Sequence, residues 1–209
     1  MSENSRFLPR ICLCLCLLLP ASRVFAQNSR NSAGNSQQLS PAMKAAIAAA
    51  RPGPEHAQLM KRAGVYTTTQ TFYQAGMPPQ QSTGTATLKS ILGGRFLEEK
   101  NSGSSLGQPY RGLRLYGYNN GSKEYEAIWI YNGSTAFLVL DGTSDDGGKT
   151  VRYSGAFIGP TGRRQTLRVI VTQNDPDHFT VKLLGEAPDG TLSTLTTVYS
   201  RVNKPAAPR

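Results

Sequence analysis

The chain has 209 residues, 38% of them apolar and 17% charged, with 21 Gly, 13 Pro and 3 Cys. That apolar share excludes a wholly disordered chain, and the Gly and Pro are too dispersed for a collagen-like or low-complexity polymer. The formal charge of +10 rests on scattered Lys and Arg, adjacent only at Lys61-Arg62 and Arg163-Arg164, so no nucleic-acid partner is expected.

In chain order, residues 1–26 read as an export signal. Arg6 and Arg10 precede the uncharged apolar run Ile11 to Leu19, and Val24 and Ala26 supply the small-residue positions before a cut at Gln27. The run is too short for a bilayer-spanning helix, which needs roughly 20 residues, so no permanent membrane span is expected after cleavage; a retained anchor is the competing reading. Cys12, Cys14 and Cys16 all leave with the signal. An exported chain without Cys uses neither a disulfide nor a thiol nucleophile. Its location is periplasmic or secreted. Loss of Arg6, Arg10, Arg23 and Glu3 takes the formal charge to +8, which solubility and loose attraction to an anionic envelope explain.

Residues 27–40 are Asn, Ser, Gln and Gly with little apolar content and read as a flexible leader. Ser40-Pro41 is an N-cap followed by Pro at the first helical position. The alanine-rich helix it opens runs to Arg51 with only Met43 and Ile47 as large apolar anchors. Pro54 opens a second short helix through Arg62, where His56, Leu59 and Met60 share a face. Residues 41–63 are thus a helical segment at a barrel mouth.

From Val65 the texture is alternating apolar and polar, cut by turn signals such as Asn119-Asn120-Gly121, Asn132-Gly133 and Asp146-Gly147-Gly148. About ten strands are predicted, near 65–74, 82–92, 95–101, 110–118, 124–131, 135–141, 150–158, 165–173, 178–186 and 192–202. No helix-length segment interrupts them, so parallel crossovers are excluded and an antiparallel meander is expected. The fold class is mainly β: an up-and-down, lipocalin-like barrel of about 8 to 10 strands over 64–202, closed to remove its edges, with residues 203–209 as a disordered tail. A curved open sheet or a two-sheet sandwich is the competing architecture.

Several strings resemble a known family. They are Gly53-Pro54-Glu55-His56, Ser82-Thr83-Gly84-Thr85, Leu92-Gly93-Gly94-Arg95-Phe96-Leu97, Gly107-Gln108-Pro109-Tyr110-Arg111-Gly112 and Tyr116-Gly117-Tyr118-Asn119, followed by Tyr125 and Trp129. Together they are similar to the bacterial family catalogued as domain of unknown function 1579, over about residues 53–202. The resemblance implies a lipocalin-like barrel and carries no activity, substrate or cofactor. The chain has Tyr66 where the family usually has Trp, and Tyr131 where it tends to have Asp.

Most chemical motifs dissolve on inspection. Gly103-Ser104-Ser105-Leu106-Gly107 fits a serine-hydrolase pattern but is predicted between antiparallel strands, not on a strand–turn–helix elbow. Gly147-Gly148-Lys149-Thr150 lacks the spacing of a phosphate loop and precedes a strand. With His56 and His178 far apart and no Cys after the cut, no metal and no cofactor are expected. Asp141, Asp145 and Asp146 lack the ligand spacing of a helix–loop–helix calcium site. Glu98 and Glu99 point to opposite faces of a strand and cannot act together; no catalytic residue is assigned.

The candidate ligand-binding residues are therefore Arg95, Tyr116, Tyr118, Tyr125, Trp129 and His56. The aromatics share faces of two neighbouring strands, and Tyr131 continues one of them. Arg95 stands at a Gly-Gly kink that can re-aim a side chain; turned inward, it requires an acid or a ligand anion. Alternatively, the aromatics are core, Arg95 pairs with a neighbour, and His56 bonds helix to barrel.

The leading reading is a barrel holding a small hydrophobic or amphipathic ligand. The alternative is an envelope structural or interaction protein with a filled barrel. A small hydrolase or isomerase using His56 and a barrel carboxylate is the least supported. Ile128 and Ile130 share a face with Glu124 and Glu126, a mixed surface that suits a contact between copies; oligomeric state stays open.

Overall fold

The computed structural model describes residues 39–105, 107–159, 161–186 and 190–202. The stretch 1–26 read as an export signal, the expected leader up to residue 38 and the expected tail 203–209 lie outside the described residues.

Two short helices precede ten strands. Helix α1 (Pro41–Ala49) starts where the Ser40 hydroxyl accepts the Met43 N–H at 3.2 Å. It buries none of its side chains, so its place is fixed at the C-terminal end. There Asn120 Nδ2 donates to the carbonyls of Ala49 and Arg51, and Arg95 Nε donates to that of Ala50. These donors satisfy carbonyls that a helix end leaves open. Helix α2 (Pro54–Met60) begins with Pro at its first turn, and the Gly53 N–H donates to His56 Nδ1 at 3.0 Å. It buries His56 and Leu59 against the barrel.

The strands are β1 (Gly64–Gln74), β2 (Gln80–Ile91), β3 (Phe96–Ser105), β4 (Gln108–Asn119), β5 (Glu124–Tyr131), β6 (Leu138–Thr143), β7 (Thr150–Ile158), β8 (Arg164–Gln173), β9 (His178–Glu186) and β10 (Leu192–Arg201). Each pairs antiparallel with the next, and β10 returns to β1 from Tyr66 opposite Arg201 to Gln74 opposite Ser193. The meander is a closed barrel, and the open sheet and the sandwich are both excluded. The largest departures from the expected strand ranges are at the β3–β4 hairpin and at β6. Strand β3 continues through Ser105 and β4 starts at Gln108, because backbone pairing from Ser102–Arg111 to Ser105–Gln108 holds a Gly/Ser segment that has no apolar pattern of its own. Strand β6 starts only at Leu138.

Alternate residues point inward, as the pleat requires. Along β5, Tyr125, Ala127 and Trp129 are buried while Glu124, Glu126 and Ile128 face out. The α2 end of the interior is packed: Phe179 and Tyr199 stack at 4.0 Å between ring centres, and Tyr66 meets both edge-on. Gly84 of β2 lies opposite Gly103 of β3. A Cβ on Gly84 would stand 2.4 Å from the Ser102 carbonyl oxygen, so only glycine allows the two backbones to approach this closely.

Gly84→Val should therefore lower the unfolding free energy by roughly 1–3 kcal/mol, the usual range for forced overpacking. A lower denaturant midpoint at unchanged slope would show it; an unchanged midpoint would mean that the close approach is not needed.

Candidate functional site

The barrel interior divides along its axis into a sealed half under α2, a polar layer in the middle and an open mouth at the far end. Arg62, just after α2, closes the sealed half. Its Nε donates to Gln173 Oε1 at 3.1 Å, its Nη2 to the Gly148 carbonyl at 3.1 Å, and its own carbonyl accepts the Tyr66 hydroxyl at 3.0 Å. Burial holds its guanidinium below the ordinary arginine value, against the opposing pull of Tyr153, Tyr116 and other tyrosines. Gly148 has a positive φ of 83°, and a Cβ there would meet the Tyr125 hydroxyl at 2.5 Å. The helix turn is thus fastened to the β6–β7 turn and to the end of β8.

The middle layer is built on Glu99, which is 0% exposed. Its Oε1 accepts from Arg114 Nη1, Asn101 Nδ2 and the Tyr199 hydroxyl, each at 2.8 Å, and its Oε2 accepts from the Tyr116 hydroxyl at 3.0 Å. Arg114 Nη1 also donates to the Tyr199 oxygen at 2.9 Å. Burial alone would lower the Arg114 guanidinium, but Glu99 together with Tyr199, Tyr116 and Tyr110 outweighs it and holds it well above the ordinary value. Burial first, and then the Glu99 charge, push the Tyr116 and Tyr199 hydroxyls up. These directions keep the guanidinium charged and the phenols protonated at neutral pH. Among the described residues, Asn101 Oδ1 and the Tyr153 hydroxyl are the buried polar atoms without a partner.

Beyond Arg114 the barrel opens. A cavity of about 580 Å³ lies between β1, β3, β4, β5 and β10, walled by Phe72, Tyr110, Trp129, Tyr131 and Leu195 with Arg114 at its floor. A second hollow of about 180 Å³ shares Trp129, Tyr131 and Leu195 with it and runs toward Phe157, Leu167 and Leu183. On the inner side of Arg114, a void of about 10 Å³ lined in part by Tyr116 and Tyr153 has room for a single water. The lumen is therefore open at one end and filled at the other.

The aromatic wall has a fixed geometry. Trp129 stacks on Tyr131 at 4.9 Å and 27°, and Trp129 Nε1 donates to the Tyr110 hydroxyl at 3.2 Å. The Arg114 guanidinium lies over the Trp129 ring, 4.5 Å from its centre, an attraction strengthened where water is excluded.

The six residues picked from sequence are dispersed through this arrangement. Trp129 lines the cavity. Tyr116 belongs to the Glu99 layer. His56, Tyr118 and Tyr125 meet at the sealed end, His56 edge-on to Tyr118 at 5.8 Å and Tyr118 edge-on to Tyr125 at 4.9 Å. Since His56 Nδ1 accepts the Gly53 N–H, this histidine is a helix-capping group. Arg95 does not enter the lumen: it is exposed, with Nε on the Ala50 carbonyl and Nη1 on that of Leu92. Its kink aims it at the end of α1 and back onto its own turn, where carbonyls supply the acceptors that an inward guanidinium would have to find elsewhere. Arg114, Glu99 and Tyr110 carry the site instead. Glu99 and Arg114 stand directly opposite each other in the β3–β4 ladder, a relation visible only once that register is known. Asp146 accepts the Thr150 N–H at 2.7 Å and the Ser144 hydroxyl at 2.8 Å, so this acid closes a turn.

The sequence matches the family described as "Protein of unknown function (DUF1579)" over residues 51–201, and the chain belongs to that family. No curated protein matches it. Among solved structures it is similar to the S-type phycobiliprotein lyase CPES from Guillardia theta, with 10% identity, a TM-score of 0.55, and 74% of this chain and 95% of that one covered. It is also similar to Rv2717c from M. tuberculosis, with 13% identity, a TM-score of 0.54, and 73% and 100% covered. At such identities the likeness is one of fold, and both point to the same barrel.

Glu99→Ala leaves Arg114 buried without its counter-ion and should cost about 3–5 kcal/mol, whereas Glu99→Leu combined with Arg114→Met removes both charges and should cost far less. Urea unfolding followed through Trp129 emission measures both; equal losses would show that the charges do not depend on each other.

Proposed function

We propose that this family member is an exported binding protein that holds a small apolar or amphipathic molecule in the mouth of its barrel. The observation that supports this is the cavity of about 580 Å³ with aromatic walls over a buried guanidinium. Pockets for small molecules are concave, mostly apolar and oriented by a few polar groups. Burying ~300 Å² of ligand apolar surface at roughly 25 cal/mol/Å² is worth ~7 kcal/mol before association costs, so micromolar binding, about 8 kcal/mol net, requires polar contacts at the cavity floor as well. One neighbour in fold is named a phycobiliprotein lyase, and a barrel mouth open to a guest fits that kind of company. A filled envelope barrel leaves this cavity without a purpose, and the enzyme reading loses its base because His56 is a cap.

Export is supported by Arg6, Arg10, the run Ile11 to Leu19 and the small residues Val24 and Ala26. Among the described residues no helix is long and apolar enough to cross a membrane. Mass spectrometry of the protein recovered from the envelope fraction should find an N-terminus at Gln27; a chain recovered intact from the cytoplasm would rule export out.

The neutral fluorophore N-phenyl-1-naphthylamine tests the lumen. Its emission should brighten saturably at one site per chain. Leu195→Arg, which places a charged side chain in the mouth, should weaken binding at least tenfold, or about 1.4 kcal/mol. Ile128→Arg, on the outer face, should leave it unchanged. Equal binding by both variants, or brightening without saturation, would place the dye outside the barrel.

A further inference from the structure

We propose that the cavity takes a carboxylate: an organic acid with a flat apolar body, its head on the free edge of Arg114 and its body against Trp129 and Leu195. The inference rests on the lumen-binding reading and names the class of guest.

Three observations carry it. First, Arg114 is only half committed. Both of its hydrogen bonds, to Glu99 and to Tyr199, leave from Nη1. Nε and Nη2 have no acceptor among the described residues, yet neither is a sealed, unpartnered atom, and Arg114 forms the cavity floor. Arg114 lines both this cavity and the small void behind it, and this edge is the part of the guanidinium left for a guest. Nε and Nη2 present two parallel donors on one edge, the arrangement that a planar carboxylate accepts in bidentate fashion.

Second, the charge inside the barrel does not balance. Besides tyrosines, the buried ionisable side chains among the described residues are His56, Arg62, Glu99 and Arg114. His56 Nδ1 accepts a hydrogen bond and so carries no proton there. Arg62 is bonded to neutral oxygens of Gly148 and Gln173. Two guanidinium charges thus face one carboxylate, and a guest carboxylate brings the interior to neutrality. Arg62 is at the sealed end and adds its field at a distance; Arg114 provides the contact.

Third, the head is positioned against a flat wall. The guanidinium lies over Trp129 at 4.5 Å, and Trp129 stacks on Tyr131. A head bound in the plane of the guanidinium keeps a planar body beside the indole, where stacking adds to burial.

Three naphthalenes of matched shape separate the parts of this claim: 2-naphthoate, its methyl ester and 2-ethylnaphthalene. Trp129 is the sole tryptophan, so its indole N–H gives one nitrogen-15 NMR signal that reports occupancy. The naphthoate should bind at least tenfold more tightly than the ester or the hydrocarbon. Arg114→Lys keeps a cation beside Glu99 but has no two-donor edge, and should remove most of the ratio by which the naphthoate binds more tightly than the ester. Should that variant fail to fold, the wild-type series alone decides, with a downfield shift of carbon-13 in the labelled carboxylate as direct evidence of its hydrogen bonds. Ester and hydrocarbon binding as well as the naphthoate would overturn the carboxylate and leave the lumen reading standing. The same holds if N-phenyl-1-naphthylamine binds and none of the three does. Failure of the fluorophore and of all three naphthalenes would remove the lumen reading, and this inference with it.

Discussion

The interior of this barrel is organised around one buried carboxylate. Removing Glu99 and Arg114 from water costs several kcal/mol for each ion, and their attraction offsets this only when the remaining hydrogen-bonding capacity is met. Four donors meet it for Glu99: Asn101 from β3, Arg114 and Tyr116 from β4, and Tyr199 from β10. Strands β3 and β10 are separated along the wall by β2 and β1, so the Tyr199 bond crosses the lumen. The layer acts as a cross-brace. It also makes a slipped register costly, since moving β3 by one residue would send Glu99 to the outside and leave Arg114 buried alone.

That brace separates two ends of different chemistry. On the α2 side the lumen is filled by stacked rings from β1, β9 and β10, with Leu59 of the helix among the buried side chains. On the other side the wall is aromatic but not filled. Arg114 belongs to both: Nη1 is held in the brace, one face covers Trp129, and the residue lines the cavity. A donor fixed from two directions before any guest arrives loses little freedom on binding, and such preorganisation is what lets a modest cavity hold a small molecule tightly.

The architecture was legible in the sequence because alternation and turn chemistry are local. Strands β5, β7 and β9 run as their patterns predict, and the turn signals fall between strands. The site was less legible, for a traceable reason. Glu99 was correctly read as facing opposite to Glu98, but finding its partner needs the β3–β4 register, and that depends on where the hairpin turns. Residues 102–107 look like one long break, whereas Ser102 to Ser105 are held in the ladder by their partners on β4. Placing the turn correctly puts Arg114 directly across from Glu99. The rule that an inward guanidinium needs an acid applies to Arg114 and not to Arg95, whose acceptors are the Ala50 carbonyl at the end of α1 and the Leu92 carbonyl in the β2–β3 turn.

The two buried arginines show why only one end invites a guest. Arg62 is bonded by neutral oxygens from the β6–β7 turn and β8, with its backbone carbonyl tied to Tyr66. Such contacts need direction more than neutralisation, and they use the side chain as a fastening between helix and barrel. Arg114 has its charge met by Glu99 on one edge, which removes the electrostatic penalty that would otherwise require acceptors all round. Its second edge can then stay open at the mouth of the lumen. A cation used as a fastening closes a structure, and one paired with an acid through a single nitrogen leaves a place in it; the difference lies in a single carboxylate, fifteen residues before Arg114 in sequence and opposite it across the ladder.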